Sequence, residues 1–451
     1  MLKVLHLTFK IWEDKMKASK VKEILGKNIL ADGFNQIMDL DKSKGSWIVD
    51  ERDGQKYLDM FSMYASGSIG YNHPKIHMIK DDIAKAGIHK PTLSDLYNTM
   101  YADFLETFNR VAIPSYLKHA FFIEGGSLAV ENALKIAFDW KVRKNMEKNI
   151  PEMDTKIIHF KQAFHGRSGY TLSLTNTTDP RKTMYFPKFD WPRINNPYLK
   201  YPITDNIINE VKENENTALT QINSAIQDNP DGIAAIIIEP IQGEGGDNHF
   251  RDEFFVSLRE ICDKHDMLLI FDEVQTGIGI TGKMWAHEHY SVIPDIISFG
   301  KKTQVCGILA GDRVLEVEKN VFEESSRINS TFGGNLVDMV RFKAILEIIE
   351  DENLIQNAKD MGKYLLNKLV ELMTDFPGYV TNSRGLGLFC AFDLPSGTER
   401  DDVWLEMMDN NLLILPSGDQ SIRFRPHLNV TKKDIDIAIS IVKESLGKCL
   451  K

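Results

Sequence analysis

The chain predicts an α/β protein with two parts: a large unit on a mostly parallel sheet, and a smaller α+β unit drawing on both chain ends. Three observations carry that expectation. From about residue 92 to 335, helical and strand patterns alternate, the mark of βαβ units. Residues 45–65 read as a hairpin, with Asp53-Gly54 between two apolar runs. After about residue 336 a long amphipathic helix leads to a second unit with its own short strands. The boundaries that follow are 16–70 for the N-terminal part of the small domain, 71–335 for the large domain and 336–451 for the C-terminal small domain.

Within the large unit, strand candidates are 119–123, 157–160, 233–239, 268–274 and 295–299, and helix candidates are 95–110, 127–146 and 251–266. The stretch 180–230, rich in Pro and Asn, reads as a loop-dominated excursion. Strands at 387–393 and 421–425 belong to the second unit.

Bulk properties narrow the function. At 451 residues, 43% apolar and 26% charged, the chain has the makeup of an ordinary globular protein. A net charge of −10 with interspersed signs argues against nucleic acid as the main partner. No stretch approaches the roughly 20 apolar residues that cross a bilayer. The first residues are too interrupted by Lys and His for a signal peptide, and Met16 could be the natural start. Cys262, Cys306, Cys390 and Cys449 lie far apart without metal spacing, so they read as reduced thiols in a cytoplasmic protein.

The densest information lies between Leu268 and Lys302. Leu-Leu-Ile-Phe ends in Asp272-Glu273, followed by Gln275, and the next apolar run ends in Lys301-Lys302. In an open parallel sheet, ligands sit at that strand edge. A carboxylate at one strand end and an amine at the next suit pyridoxal phosphate: the amine forms a Schiff base, and the carboxylate keeps the pyridine nitrogen protonated. The plain alternative is solvated charges. Neighbouring residues of a strand face opposite ways, so one lysine at most addresses the site, and periodicity does not choose between Lys301 and Lys302.

Other segments point to the same edge. Glu124-Gly125-Gly126-Ser127 precedes an amphipathic helix and offers either a phosphate cradle or an ordinary N-cap. Phe164-His165-Gly166-Arg167 brings an aromatic that could stack on a ring and an arginine that could clamp a carboxylate. Glu239-Pro-Ile-Gln-Gly-Glu244 is a third acidic strand end, and Arg423 and Arg425 alternate on one strand face. Gly277-Ile-Gly279-Ile-Thr-Gly282 matches the dinucleotide pattern, with Asp295 at a tempting distance. Asp272 and Glu273 would crowd the pyrophosphate, and the residues before Pro294 are too few for a crossover helix. It reads as a coincidental glycine loop. His287-Glu288-His289 lacks the i, i+4 histidine spacing of a helical metal site.

Together these segments, with Phe271-Asp-Glu-Val-Gln-Thr-Gly, Pro294-Asp-Ile-Ile-Ser-Phe-Gly-Lys and Ser330-Thr-Phe-Gly-Gly-Asn, resemble the class III aminotransferases of PLP-dependent transferase fold type I. Lys302-Thr-Gln-Val-Cys-Gly in place of a glycine-rich turn with proline, along with Arg327-Ile-Asn-Ser-Thr, is similar to the L-lysine 6-aminotransferase (lysine ε-aminotransferase) subgroup. The resemblance selects Lys301 for the Schiff base and proton shuttle. It assigns Asp272 to the pyridine nitrogen, Gln275 to the phenolic oxygen, Phe164 to stacking, and Gly126, Ser127 and a partner subunit's Thr331 to the phosphate. Arg167 would hold the substrate carboxylate remote from the reacting amine. Glu244 and Arg423 would form a switch pair that admits L-lysine or 2-oxoglutarate, and Asn329 would add a contact across a homodimer interface. The implied reaction yields 2-aminoadipate 6-semialdehyde and L-glutamate. The rivals are an ornithine or 4-aminobutyrate aminotransferase, an NAD-dependent dehydrogenase resting on the glycine loop alone, and a cofactor-free binding protein.

Overall fold

The computed structural model describes residues 16–450. The expectations for the first 15 residues lie outside them. The strands, numbered along the chain, are β1 (Trp47–Val49), β2 (Lys56–Asp59), β3 (His119–Ile123), β4 (Lys156–Phe160), β5 (Arg193–Ile194), β6 (Ile233–Ile238), β7 (Leu268–Asp272), β8 (Ile296–Phe299), β9 (Cys306–Ala310), β10 (Thr381–Leu386), β11 (Phe389–Asp393), β12 (Leu412–Leu413), β13 (Leu415–Ser417) and β14 (Ser421–Phe424).

The central sheet has seven strands in the order β3-β9-β8-β7-β6-β4-β5. Strands β8, β7, β6, β4 and β5 run parallel, while β9 is antiparallel to both neighbours. Every residue of β6, β7, β8 and β9 is buried, as expected for a sheet covered on both faces. Helix Gly126–Glu147 packs along β9, β8 and β6, and Asp252–Lys264 lies on β7. Phe254, Phe255 and Leu258 of the latter are fully buried. At roughly 25 cal/mol per Å² of apolar surface, each such side chain contributes about 1.5–3 kcal/mol before entropy is counted.

The hairpin forms as β1 and β2, and β12 joins it in parallel, so the N-terminal segment is completed by a strand from near the C-terminus. A four-stranded antiparallel sheet, β10-β11-β14-β13, lies beside it. No described helix is long and apolar enough to cross a membrane.

One expectation fails and two are refined. The 180–230 stretch is not loop-dominated: Asp205–Asp228 is a helix of 24 residues, capped by the Thr204 side chain, which accepts from the Ile207 amide. Its buried residues are only Val211, Glu215, Ala218 and Ile222, one per turn. Leu219, Ala225 and Ile226 pack beside them, so the apolar residues keep helical spacing; the Pro and Asn of the surrounding stretch hide it in composition. The long helix after 336 is two helices, Leu336–Asp351 and Leu354–Asp375, broken where Asn353 takes φ +51°. The strand expected at 387–393 is the second arm of a hairpin that turns at Gly387, φ +56°. An added Cβ there would overlap the Thr281 backbone, so the turn demands glycine.

Candidate active site

Five strand ends converge on one cavity of about 290 Å³. Gly126 and Ser127 follow β3, the segment Phe164–Arg167 follows β4, and Glu239 follows β6. Asp272, Val274 and Gln275 lie at the end of β7, and Lys301 follows β8. The crevice outside the carboxyl ends of parallel strands is where open α/β sheets hold ligands. Asp272 and Lys301 therefore share one cavity.

Asp272 is 4% exposed and firmly held. His165 Nδ1 lies 2.8 Å from its Oδ2, the Ser298 hydroxyl donates to its Oδ1 at 3.0 Å, and the Val274 amide donates to the same oxygen at 3.1 Å. Each donor belongs to the sheet or a loop leaving it. His165 lies within the Phe164–Arg167 motif, and only the fold brings it to this carboxylate. Glu239 also shapes the site: its carboxylate accepts the Phe164 amide at 2.9 Å and the Gly243 amide at 3.1 Å, fixing the aromatic against the cavity. Burial pushes the Glu239 carboxyl up to about 7.

The two lysines sit beyond the strand, on the 3-10 turn Lys301–Thr303, where Lys301 takes φ +55°. Strand alternation is thus not what separates them. Lys301 lines the cavity, whereas Lys302 is buried beneath it and its Nζ donates to the Gln275 carbonyl at 3.0 Å. Burial, then the charges of Arg423 and Arg425, draw the Lys301 amine down to about 8. That value leaves roughly a tenth of the amine neutral at pH 7, far more than an ordinary lysine offers, as a nucleophilic amine requires.

At the helix opening, Gly125 takes φ +102° and no side chain caps Gly126–Glu147. Ser127 is therefore inside the helix and is not an N-cap. Its hydroxyl is engaged by Ser168 at 2.6 Å and Thr171 at 2.8 Å, leaving backbone N–H groups to face the cavity. A Cβ on Gly126 would press to 3.0 Å from Val274 Cγ1, so the close approach depends on glycine. An uncapped helix N-terminus, a fixed carboxylate and a lysine amine lowered to about 8 fit the phosphate, ring nitrogen and aldehyde of pyridoxal phosphate.

Around this cavity lies a second charged layer. Glu244 Oε2 accepts from Arg423 Nη2 at 2.8 Å, and its Oε1 accepts from Lys182 Nζ at 2.5 Å. Burial alone would raise the Glu244 carboxyl; Arg423 and Lys182 outweigh it and hold it low. Arg425 makes a bidentate pair with Asp247, at 2.7 and 2.8 Å, and its Nε donates to Gln275 Oε1 at 3.0 Å. That contact turns the Gln275 oxygen away and leaves its amide NH₂ available. Arg167 lines the cavity with its side chain exposed.

The structure does not bring Asn329 and Thr331 into their own chain's cavity. Both are exposed, in a loop anchored where Ser94 donates to the Thr331 carbonyl at 3.0 Å. Nor did the sequence suggest that Ser62–Ala65 forms a left-handed turn, with φ of 41°, 54°, 59° and 66°. Four side-chain-bearing residues there store strain, offset in part where the Ser62 hydroxyl donates to the Arg425 carbonyl at 2.6 Å. The turn sets the Tyr64 ring 6.0 Å from the Arg423 guanidinium.

The glycine loop behaves as a packing element. An added Cβ on Gly277 would lie 2.6 Å from Trp285, and only the 3-10 turn Ala286–His289 follows. Asp295 pairs with Arg259 at 2.8 Å, and His287 Nδ1 lies 2.8 Å from Glu273.

With this geometry in place, comparison with known proteins is informative. The model of the aminotransferase class-III family matches residues 30–446. The chain is 51% identical to an L-lysine-epsilon aminotransferase of Mycobacterium tuberculosis over 431 residues, 95% of each chain. It is 46% identical to one of Amycolatopsis lactamdurans over 434 residues, covering 95% of this chain and 96% of that one. A solved lysine aminotransferase from M. tuberculosis in the internal aldimine form superposes with a TM-score of 0.94 at 49% identity, covering 96% of this chain and all of that one. Family match, parallel-sheet fold and a strand-edge site agree: this chain belongs to the class-III aminotransferases, and its cofactor is pyridoxal phosphate.

Proposed function

We propose that this protein transfers the ε-amino group of L-lysine to 2-oxoglutarate, giving 2-aminoadipate 6-semialdehyde and L-glutamate. The observation that carries the reading is the Glu244–Arg423 pair, at 2.8 Å, beside a cavity that also holds Arg167. One pocket must take both a monocarboxylate with a distal amine and a dicarboxylate. Arg167 serves the carboxylate common to both. Arg423, neutralised by Glu244 while lysine is bound, is released to grip the second carboxylate of 2-oxoglutarate.

When bound, pyridoxal phosphate supplies an aldehyde that takes up an amine and a ring that accepts the electron pair left by a departing proton. The chain supplies the remainder. Lys301 Nζ would take a proton from the lysine carbon that bears the reacting nitrogen in the first half of the cycle, and give one to the former keto carbon of 2-oxoglutarate in the second. Asp272, backed by His165, holds a proton at the pyridine nitrogen. The free NH₂ of Gln275 donates to the phenolic oxygen, Phe164 covers the ring, and the N–H groups of Gly126 and Ser127 hold the phosphate. Thr331 and Asn329 reach this site from a second copy of the chain. Their exposure on a loop outside their own cavity supports a homodimer with sites at the interface, and four free, unpaired cysteines support a cytoplasmic setting.

Incubation of purified enzyme with L-lysine and 2-oxoglutarate, followed by assay of the cyclised semialdehyde and glutamate, tests the reading. Lysine should be the preferred donor over ornithine and 4-aminobutyrate. Preference for either of those would overturn the substrate assignment and leave the family untouched.

A further inference from the structure

We infer that Lys182 is the resting cation of the switch, the group that holds Glu244 when Arg423 lets it go. The inference rests on the Glu244–Arg423 mask proposed above. Unmasking Arg423 is only half an event, because the displaced carboxylate must go somewhere. Glu244 is part-buried, and a carboxylate stripped of its partner in such a place strongly prefers to remain paired. The structure supplies a second partner: Oε2 faces Arg423 and Oε1 faces Lys182, so one oxygen can give up its contact while the other keeps its own.

The placement of Lys182 is built rather than incidental. It ends the 3-10 turn Pro180–Lys182, which is capped by Asp179; that carboxylate accepts from the Arg181 amide at 3.1 Å and pairs with the Arg181 guanidinium at 2.8 Å. Arg181 is thereby occupied, and Lys182 is the cation of this turn left facing Glu244. The Gly418 amide donates to the Glu244 carbonyl at 2.9 Å, and Thr178 Oγ1 lies 3.5 Å from the Gly418 carbonyl. One turn of the small unit therefore borders both the segment bearing the acid and the segment bearing the lysine. Arg423, for its part, keeps Tyr64 over its guanidinium when the acid leaves. Lys182 is a positioning residue: it acts on substrates through Glu244.

The test uses the holoenzyme and two unreactive probes of equal length, glutarate with two carboxylates and pentanoate with one, bound by calorimetry. Lys182→Met should weaken glutarate about tenfold, the scale of one charge-assisted hydrogen bond, and shift pentanoate by less than about twofold. Lys182→Arg should restore glutarate binding. Glu244→Ala should tighten glutarate relative to pentanoate, and adding Lys182→Met in that background should change nothing further. If Lys182→Met weakens glutarate equally without Glu244, the lysine attracts the ligand directly and the inference fails. Equal weakening of both probes would mark a merely structural role and would also overturn it. No effect of Lys182→Met, with Glu244→Ala still shifting the ratio, sinks the inference and leaves the mask standing. An unchanged ratio in Glu244→Ala removes the mask itself.

Discussion

Asp272 and Glu244 are both acids near one cavity, and they are held in opposite ways. Asp272 is met by His165, Ser298 and the Val274 amide, all fixed by strands of the same sheet or loops leaving them. Glu244 is divided between Arg423 on β14 and Lys182 in a turn after β4, two cations from segments remote in sequence. The first arrangement offers no competing partner, so the carboxylate stays put and preorganises whatever faces it. The second contains a competition that an incoming anion can tip. Rigid chemistry and adaptable recognition are thus assigned to different layers of the same site.

Breaking the rigid layer should have the largest consequence. Asp272→Ala removes the partner of the ring nitrogen and leaves His165 unmatched; single-turnover rates with lysine should fall by about 10²–10⁴-fold. A loss below tenfold would mean that Asp272 does not address the ring. Glu244→Ala acts on the adaptable layer: the ratio of kcat/KM for lysine to that for 2-oxoglutarate should fall about tenfold. An unchanged ratio would dissolve the contrast. His165→Ala should cost less than loss of Asp272 itself, about tenfold, because Ser298 and Val274 still hold the acid.

The smallest effect is a shift along the pH axis. Burial and the two arginines lower Lys301 from its ordinary 10.5 to about 8, so its neutral fraction grows as pH rises through about 8. Reassembly of apoenzyme with pyridoxal phosphate, followed by absorbance, should accelerate over that interval. Arg423→Gln removes one of the charges that lower the amine, so the midpoint should move up. A midpoint near 10.5 in the parent enzyme would contradict the burial argument.

The legibility of the chain followed the same division. Strands β6, β7 and β8 are continuous apolar runs that lead into charged residues, so the sheet edge and its pairing of an acid with a lysine are legible locally, while the choice of Lys301 over Lys302 rests on the family resemblance. Helix Asp205–Asp228 is hidden by the Pro- and Asn-rich composition around it, although its apolar residues keep helical spacing. Lys182 could not be found from sequence, since its significance is a contact with Glu244 across 62 positions of chain. Nor could His165 be separated from the motif around it: only the fold brings it to Asp272, 107 positions away. Ser62–Ala65 carries no glycine, so nothing in its composition announces a left-handed turn.

The most direct measurement concerns the lysine itself. Reduction of the holoenzyme with borohydride, digestion and mass spectrometry will show which residue carries the pyridoxyl group. The account predicts Lys301, whose amine lines the cavity with Asp272. Modification of Lys302, which is buried against the Gln275 carbonyl, or of no lysine at all, would contradict it.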